Sequence, residues 1–366
     1  MTMKKETKLT VLLLAIMFFG FSVLCWVKPS SEYSLTERRK LTQFPKLTLE
    51  TAADGKFMTD FEEYSLDQFP FRDGFRSLKA WISQNVFRKS DNNEIYVADG
   101  YAVKMEYPLN EASLTYAGKR FENIYDKFLK DSGCEIYLSI VPDKNFFLGE
   151  KSGHLSMDYE RLFQTMQEEM PYAQYIDITD TLTIEDYYKT DVHWRQEGLV
   201  DTAEKIGSAM GISLDGEYEK KTLENDFYGV YFGQSALNLP GEKMHYLTND
   251  VLEQCTVYNY ENDKILGIYD MEKAEGDDPY EIFLSGPVSL LKIENPNVKT
   301  DKELIVFRDS FGSSLIPLMA EGYKTIYLAD IRYIQSEFLA NYIDFHEQDV
   351  LFLYSTVVLT NSRTLK

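Results

Sequence analysis

Residues 304–312 read Leu304-Ile305-Val306-Phe307-Arg308-Asp309-Ser310-Phe311-Gly312. Four apolar residues in a row, from Leu304 to Phe307, predict a short buried strand. The stretch Gly312 to Ala320 then predicts a helix, so a serine stands in a strand-to-helix turn. The same alternation extends outward in both directions. Upstream, Tyr116–Lys130 predicts a helix ended by Gly133, Cys134–Val141 (CEIYLSIV) a strand, and Tyr159–Met170 a helix stopped by Pro171. Tyr175–Ile178 follows as a strand, and Arg195–Met210 as a helix capped by Gly211. Downstream come strands at Thr325–Ala329 and Val350–Tyr354, with a helix at Gln335–Tyr342 between them. Such alternation predicts an α/β fold of three layers, a mostly parallel sheet with helices on both faces.

Residues 215–297 break this rhythm. They are rich in Tyr, Gly, Asn and Asp, with strand-like pieces such as Thr256-Val257-Tyr258, and predict an irregular β insertion between two halves of one domain. A loop region of that length in a compact protein is usually functional.

The N-terminal region has a different character. Leu9 to Val27 (LTVLLLAIMFFGFSVLCWV) carries no charge and nearly spans a hydrocarbon core of about 30 Å. Lys4, Lys5 and Lys8 precede it, so residues 1–8 are expected in the cytoplasm and everything after Val27 outside the cell membrane. A cleaved signal peptide is the rival reading, but the exit Leu24-Cys25-Trp26-Val27-Lys28 lacks the small residues of a cleavage site, and Leu24 is too large to precede a lipidated cysteine. A single-pass transmembrane helix over 9–27 is therefore preferred. Residues 28–56, polar and punctuated by proline, predict a stalk, and the α/β domain is expected from 57 to 366. Lys56–Val86 is amphipathic and interrupted at Pro70, which should stop one helix before another begins.

Composition narrows the function. A net charge of −21 leaves no basic stripe for phosphates, which excludes nucleic acid as a partner and weighs mildly against a strongly anionic polymer. With 26 Tyr and 23 Phe the chain is aromatic-rich; most of these rings belong in core and strands, although tyrosine faces also stack on sugars. The four histidines lack metal-ligand spacing, and Cys25, Cys134 and Cys255 form no C-x-x-C pair. No metal and no cofactor is expected. Cys25 lies in the apolar run, and Cys134 and Cys255 are taken as unpaired.

Two turns carry chemistry. One is Arg308-Asp309-Ser310-Phe311-Gly312; the other is Thr190-Asp191-Val192-His193-Trp194, just before the predicted Arg195 helix. In a doubly wound sheet the C-terminal strand ends line the binding crevice, so Ser310 points its hydroxyl there. Free N–H groups at the following helix can stabilise an oxyanion. A serine needs an imidazole base oriented by a carboxylate, and His193 and Asp191 supply both. Taken singly, Ser310 reads as a helix cap and Asp191-Val192-His193 as an exposed turn. Their joint position at strand-to-helix junctions favours catalysis. Asp309 is expected to support the turn rather than act as the acid.

Those motifs, with Glu37-Arg38-Arg39, Asp67-Gln68-Phe69-Pro70-Phe71-Arg72 and Val141-Pro142-Asp143-Lys144, resemble the DHHW family, which is related to the SGNH-hydrolase-like domains of the alginate O-acetylation proteins. The resemblance covers most of the exported part. It implies an SGNH-hydrolase-like domain in which Asp191 is the acid, His193 the base and Ser310 the nucleophile, in a chain order rotated relative to ordinary SGNH esterases. The first histidine of the family's motif is Val192 here, leaving His193 as the base. Arg332, in Asp330-Ile331-Arg332-Tyr333, is a further substrate candidate, and Gly286 a candidate oxyanion donor. The expected function is an extracytoplasmic O-acyltransferase, moving acetyl groups onto a cell-surface or exported polysaccharide of the cell envelope. Its acyl donor would be delivered by a polytopic membrane-bound O-acyltransferase. An SGNH-type carbohydrate esterase and a non-catalytic polysaccharide-binding or assembly protein are the alternatives.

Overall fold

The computed structural model describes residues 4–366; residues 1–3 of the expected cytoplasmic tail lie outside the described residues. Contacts divide the chain into two units: the N-terminal segment up to Asn93 together with Phe232–Asn238, and Glu94–Tyr231 together with Leu239–Lys366. Residues 57–93, expected within the α/β domain, therefore cluster with the N-terminal segment.

In the first unit, Lys5–Val27 forms one helix, long and apolar enough to cross a membrane, with none of its apolar window buried. Two helices, Lys56–Asp67 and Arg72–Asn85, follow, with the break at Pro70 as expected. The segment expected as a stalk is tied to them. Arg39 grips Asp67 through two hydrogen bonds of 2.9 and 2.6 Å, and the Ser31 amide donates to Gln68. Glu37 pairs with Arg72 and, at 3.1 Å, with Arg76. The Glu37-Arg38-Arg39 and Asp67–Arg72 motifs thus form one ion-pair network. The Arg39 hydrogen bonds outweigh burial and hold the Asp67 carboxyl well below the usual carboxylate range.

The second unit is built on an eight-stranded sheet. Its strands in chain order are β1 (Glu135–Val141), β2 (Gln174–Tyr175), β3 (Thr256–Asn259), β4 (Lys264–Leu266), β5 (Leu290–Glu294), β6 (Glu303–Arg308), β7 (Thr325–Ala329) and β8 (Asp349–Ser355). The spatial order is β4-β3-β5-β7-β6-β8-β1-β2. From β7 to β2 all pairings are parallel; β5, β3 and β4 continue the sheet antiparallel beyond β7. Part of the 215–297 stretch therefore forms one edge of the main sheet, while Glu219–Phe227 and Glu242–Thr248 pair as a separate hairpin.

Period-2 alternation sorts the core into two layers. Leu138, Ile140, Phe307, Val350 and Phe352 meet the helices Glu111–Ile124 and Tyr159–Glu169 on one face. Leu304, Val306, Leu351 and Leu353 meet Val200–Ala209 and Gly312–Met319 on the other. Strands buried on both faces read as unbroken apolar runs, which is why β6 and β8 are conspicuous in the sequence. Each fully buried Leu, Ile or Phe contributes roughly 1.5–3 kcal/mol of transfer free energy.

Several local expectations change. The predicted helix Gln335–Tyr342 is a 3-10 stretch, Ser336–Asn341, held to the core by Leu339; so short a segment has too few residues to offset the unfavourable nucleation of an α-helix. The predicted strand Tyr175–Ile178 shortens to Gln174–Tyr175. The helix expected from Arg195 begins at Val200. Before it, Tyr187 and Trp194 form an antiparallel bridge, with Tyr188 N–H donating to His193 O (3.1 Å) and Arg195 N–H to Asp186 O (2.7 Å). Residues 188–193 are thus the tip of a β-like loop. Cys134 and Cys255 are free.

Candidate active site

Ser310 lies two residues past the end of β6, at the C-terminal edge of the parallel strands. Asp309 shapes the turn: one carboxylate oxygen accepts the Phe311 amide (3.0 Å), and the other accepts both the amide (2.8 Å) and the hydroxyl (2.7 Å) of Ser355 at the end of β8. Asp309 is wholly buried and locks the ends of two neighbouring strands together. The Ser310 hydroxyl caps no helix amide. Its Oγ lies 2.8 Å from His193 Nε2.

His193 Nδ1 lies 2.6 Å from Asp191 Oδ1, which also accepts the His193 amide at 3.0 Å. Asp191 Oδ2 accepts the Val230 amide at 2.8 Å. With Asp191 accepting at Nδ1–H, Nε2 is left as the acceptor for the Ser310 O–H, the tautomer a general base requires. Ser310, His193 and Asp191, predicted from two motifs over a hundred residues apart, are thus brought into one hydrogen-bonded chain.

The neighbouring residues fix this geometry. Trp194, fully buried, donates from its indole N–H to Phe311 O (3.0 Å) and Ser314 Oγ (2.9 Å). Gln196 donates to Ser314 O (2.8 Å). Both clamp the histidine loop to the serine helix. The Tyr280 ring stacks on His193 at 3.9 Å and 8°, and its hydroxyl meets Ser314 Oγ at 2.8 Å. Burial pushes the Tyr280 phenol well above its ordinary value, so it stays neutral. A methyl on Gly229 would sit 2.3 Å from Asp191 Cα, and the Gly229 amide donates to Thr190 Oγ1 (2.9 Å). Only glycine permits this approach, which delivers the Val230 amide to Asp191.

The Val141-Pro142-Asp143-Lys144 motif acts from the end of β1. Asp143 accepts hydrogen bonds from Tyr159 (2.7 Å), Thr356 (2.7 Å) and the Asn145 amide (2.8 Å). Lys144, fully buried, donates to Tyr188 O (2.9 Å) and Lys189 O (3.3 Å), bracing the loop leading to Asp191. Burial pushes its amine down to about 7, against the opposing pull of Asp191, Glu242 and Asp143.

Two other candidates behave differently. Arg332 is committed to Asp330, through Nε (2.9 Å) and Nη2 (2.6 Å), and makes no hydrogen bond to Ser310, His193 or Asp191 among the described residues. Gly286 donates its amide to Phe283 O (3.2 Å), so that N–H is spent within its own turn and is not available to an oxyanion. Tyr280, Gly229 and Val230 were not found from sequence, since all three lie in the irregular 215–297 stretch. Lys144 stood in a quoted motif, but its contact with the 188–189 carbonyls is long-range.

Residues 175–329 match the DHHW protein family, and that segment contains Asp191, His193 and Ser310. Among solved structures, a DHHW family protein from Eubacterium siraeum is similar at 20% identity, covering 75% of this chain and 95% of that one, with a TM-score of 0.61. PatB1 of Bacillus cereus, solved with a sulfonyl adduct, is 21% identical over 72% of this chain and 95% of its own, with a TM-score of 0.57. PatB1 without the adduct is also 21% identical, covering 72% of this chain and 96% of that one, with a TM-score of 0.53. No curated protein matches the chain at significance. These likenesses establish a shared α/β fold, and the sequence match is to the DHHW family over residues 175–329.

Proposed function

We propose that the protein is a membrane-anchored O-acyltransferase that works outside the cytoplasm, with Ser310 as nucleophile, His193 as base and Asp191 as the orienting acid. The observation carrying this reading is the Asp191–His193–Ser310 hydrogen-bonded chain at 2.6 and 2.8 Å. The Ser310 Oγ attacks the acyl carbonyl while His193 Nε2 takes its proton; the tetrahedral intermediate then collapses, and Nε2 returns the proton to the leaving group. A sugar hydroxyl next attacks the acyl-Ser310 ester, giving its proton to Nε2, and the released Ser310 Oγ recovers it. Through both halves Asp191 stabilises the imidazolium. The Ser310 backbone N–H makes no hydrogen bond among the described residues and is the proposed oxyanion donor.

The acyl group is acetyl and the acceptor a neutral cell-surface or exported polysaccharide, in keeping with the net charge of −21. The donor is delivered by a polytopic membrane-bound O-acyltransferase beside which the Lys5–Val27 helix holds the protein. The sulfonyl adduct of PatB1 fits such chemistry, since sulfonyl reagents capture activated nucleophiles.

Two labelling reactions test the proposal. A sulfonyl fluoride, and separately an activated acetyl ester, should modify Ser310, and Ser310→Ala should remove both adducts. A neutral oligosaccharide should discharge the acetyl-enzyme onto sugar faster than water does. Discharge to water alone would instead identify an esterase. Failure of every acyl donor to label a well-folded protein would leave a binding or assembly role.

A further inference from the structure

The Arg72–Asn85 helix presents its apolar side outward. Phe75, Leu78 and Ile82 recur at spacings of three and four, with Trp81 beside them, Phe71 one turn before and Val86 one turn after. On a helix packed against a soluble core that stripe faces inward. Here Phe71 is 70% exposed, Leu78 51% and Trp81 58%, while the helix residues that are buried are the small Ala80 and Ser83. Arg76, off the stripe, donates to Gly233 O at 2.8 Å and pairs with Glu37, so its charge is answered within the protein.

The stripe starts against the N-terminal apolar helix. The Phe21 ring stacks on Phe69 at 5.6 Å and meets Phe75 edge-on at 5.7 Å. Phe21 lies six residues before Val27, or about 9 Å along the helix axis. Lys28, just past the apolar run, reaches Gln68 O at 3.5 Å. With Lys5–Val27 spanning the hydrocarbon, Phe69 and Phe75 lie below its outer end. That is the depth, roughly 5–10 Å, at which the apolar face of an interfacial helix embeds.

We propose that Arg72–Asn85 is a membrane-interface helix, bedded with Phe71, Phe75, Leu78 and Trp81 in the outer part of the leaflet from which the anchor emerges. This rests on reading Lys5–Val27 as a membrane span. The occupant of the stripe is lipid, because the stripe is continuous through Phe69 and Phe75 with the surface of the span itself. Arg88 and Lys89, just past the helix, are exposed and can extend to headgroups while their stems stay along the apolar surface.

The experiment uses the full chain carrying Trp26→Phe, reconstituted into phosphatidylcholine–phosphatidylglycerol vesicles with brominated acyl chains. Of the two remaining tryptophans Trp194 is fully buried, and a Trp26→Phe/Trp81→Phe chain supplies its signal for subtraction. The expected result is loss of Trp81 emission, greater with bromines near the carbonyl end of the acyl chain than at mid-bilayer, and little quenching by aqueous iodide. A chain that floats with the vesicles while Trp81 stays open to iodide and indifferent to bromine would overturn the interface helix and leave the anchor standing. Shielding from both quenchers would show that polypeptide covers the stripe and overturn lipid as its occupant. Failure to float would remove the anchor and this proposal together, leaving the Ser310 chemistry untouched.

Discussion

The His193 imidazole lies face to face on the Tyr280 ring, 3.9 Å between centroids and 8° from parallel. The stack leaves the imidazole two edges, one bound to Asp191 and one aimed at Ser310, and it limits rotation away from either. Tyr280→Phe keeps the ring and loses the hydroxyl's hydrogen bond to Ser314 Oγ (2.8 Å) and its long one to Ser310 O (3.5 Å), at about 1 kcal/mol of stability, with acylation falling no more than a few-fold. Tyr280→Ala removes the platform, and acylation by an activated ester should fall about ten- to a hundredfold, or roughly 1.4–2.7 kcal/mol of barrier. Pre-steady-state burst rates separate the two variants; equal losses would show that the hydroxyl, not the ring, is what matters.

Asp191 accepts on both oxygens, from His193 at one and from the Val230 amide at the other. Asp191→Asn must therefore point an NH2 group at a donor whichever way the amide is turned. The expected loss in the acylation rate is about four orders of magnitude, as for other triads forced into the wrong tautomer. A loss under tenfold in single-turnover measurements would mean that another group orients His193.

Gly229→Ala places a methyl 2.3 Å from Asp191 Cα, closer than any relaxed contact. The 228–231 loop has to retreat, taking the Val230 amide from the carboxylate. Overpacking of this kind costs about 1–3 kcal/mol, so the variant should melt earlier. Acylation should be impaired even at temperatures where circular dichroism shows it fully folded. Full activity in the folded variant would show that Val230 contributes nothing to Asp191.

Glu106 is 8% exposed, and burial together with the Asp143 charge pushes its carboxyl up to about 7. Between its unfolded value of 4.5 and about 7, the folded protein holds a proton that the unfolded chain has released. Stability from this group is fully present below pH 4.5 and is lost as pH rises through 7, on the order of 3 kcal/mol. Glu106→Gln keeps the neutral form at every pH. Denaturant midpoints at pH 5 and pH 8 should therefore differ less in Glu106→Gln than in the unmodified protein; an unchanged difference would mean Glu106 titrates normally.

Much of the α/β frame was legible in the chain because its evidence is local. Buried parallel strands such as Leu304–Phe307 and Val350–Tyr354 must be apolar on both faces, so they announce themselves without reference to any partner. The charge-free Leu9–Val27 run and the break at Pro70 are local in the same way. The serine turn and the Asp191–His193 pair were visible as residue types at strand-to-helix connections. Their meeting at 2.8 Å was decided by the tertiary structure, because it depends on the order of the strands and on the Trp194 and Gln196 clamps to the serine helix. So were Tyr280 and Gly229, which come from an aperiodic stretch and act through one stacking contact and one close approach. So too was the ending of Gly286, whose amide turned inward to Phe283. Backbone pattern reports which surface a segment buries. Which side chains then face one another is set by long-range packing, and there a single residue carries no sequence signal of its own.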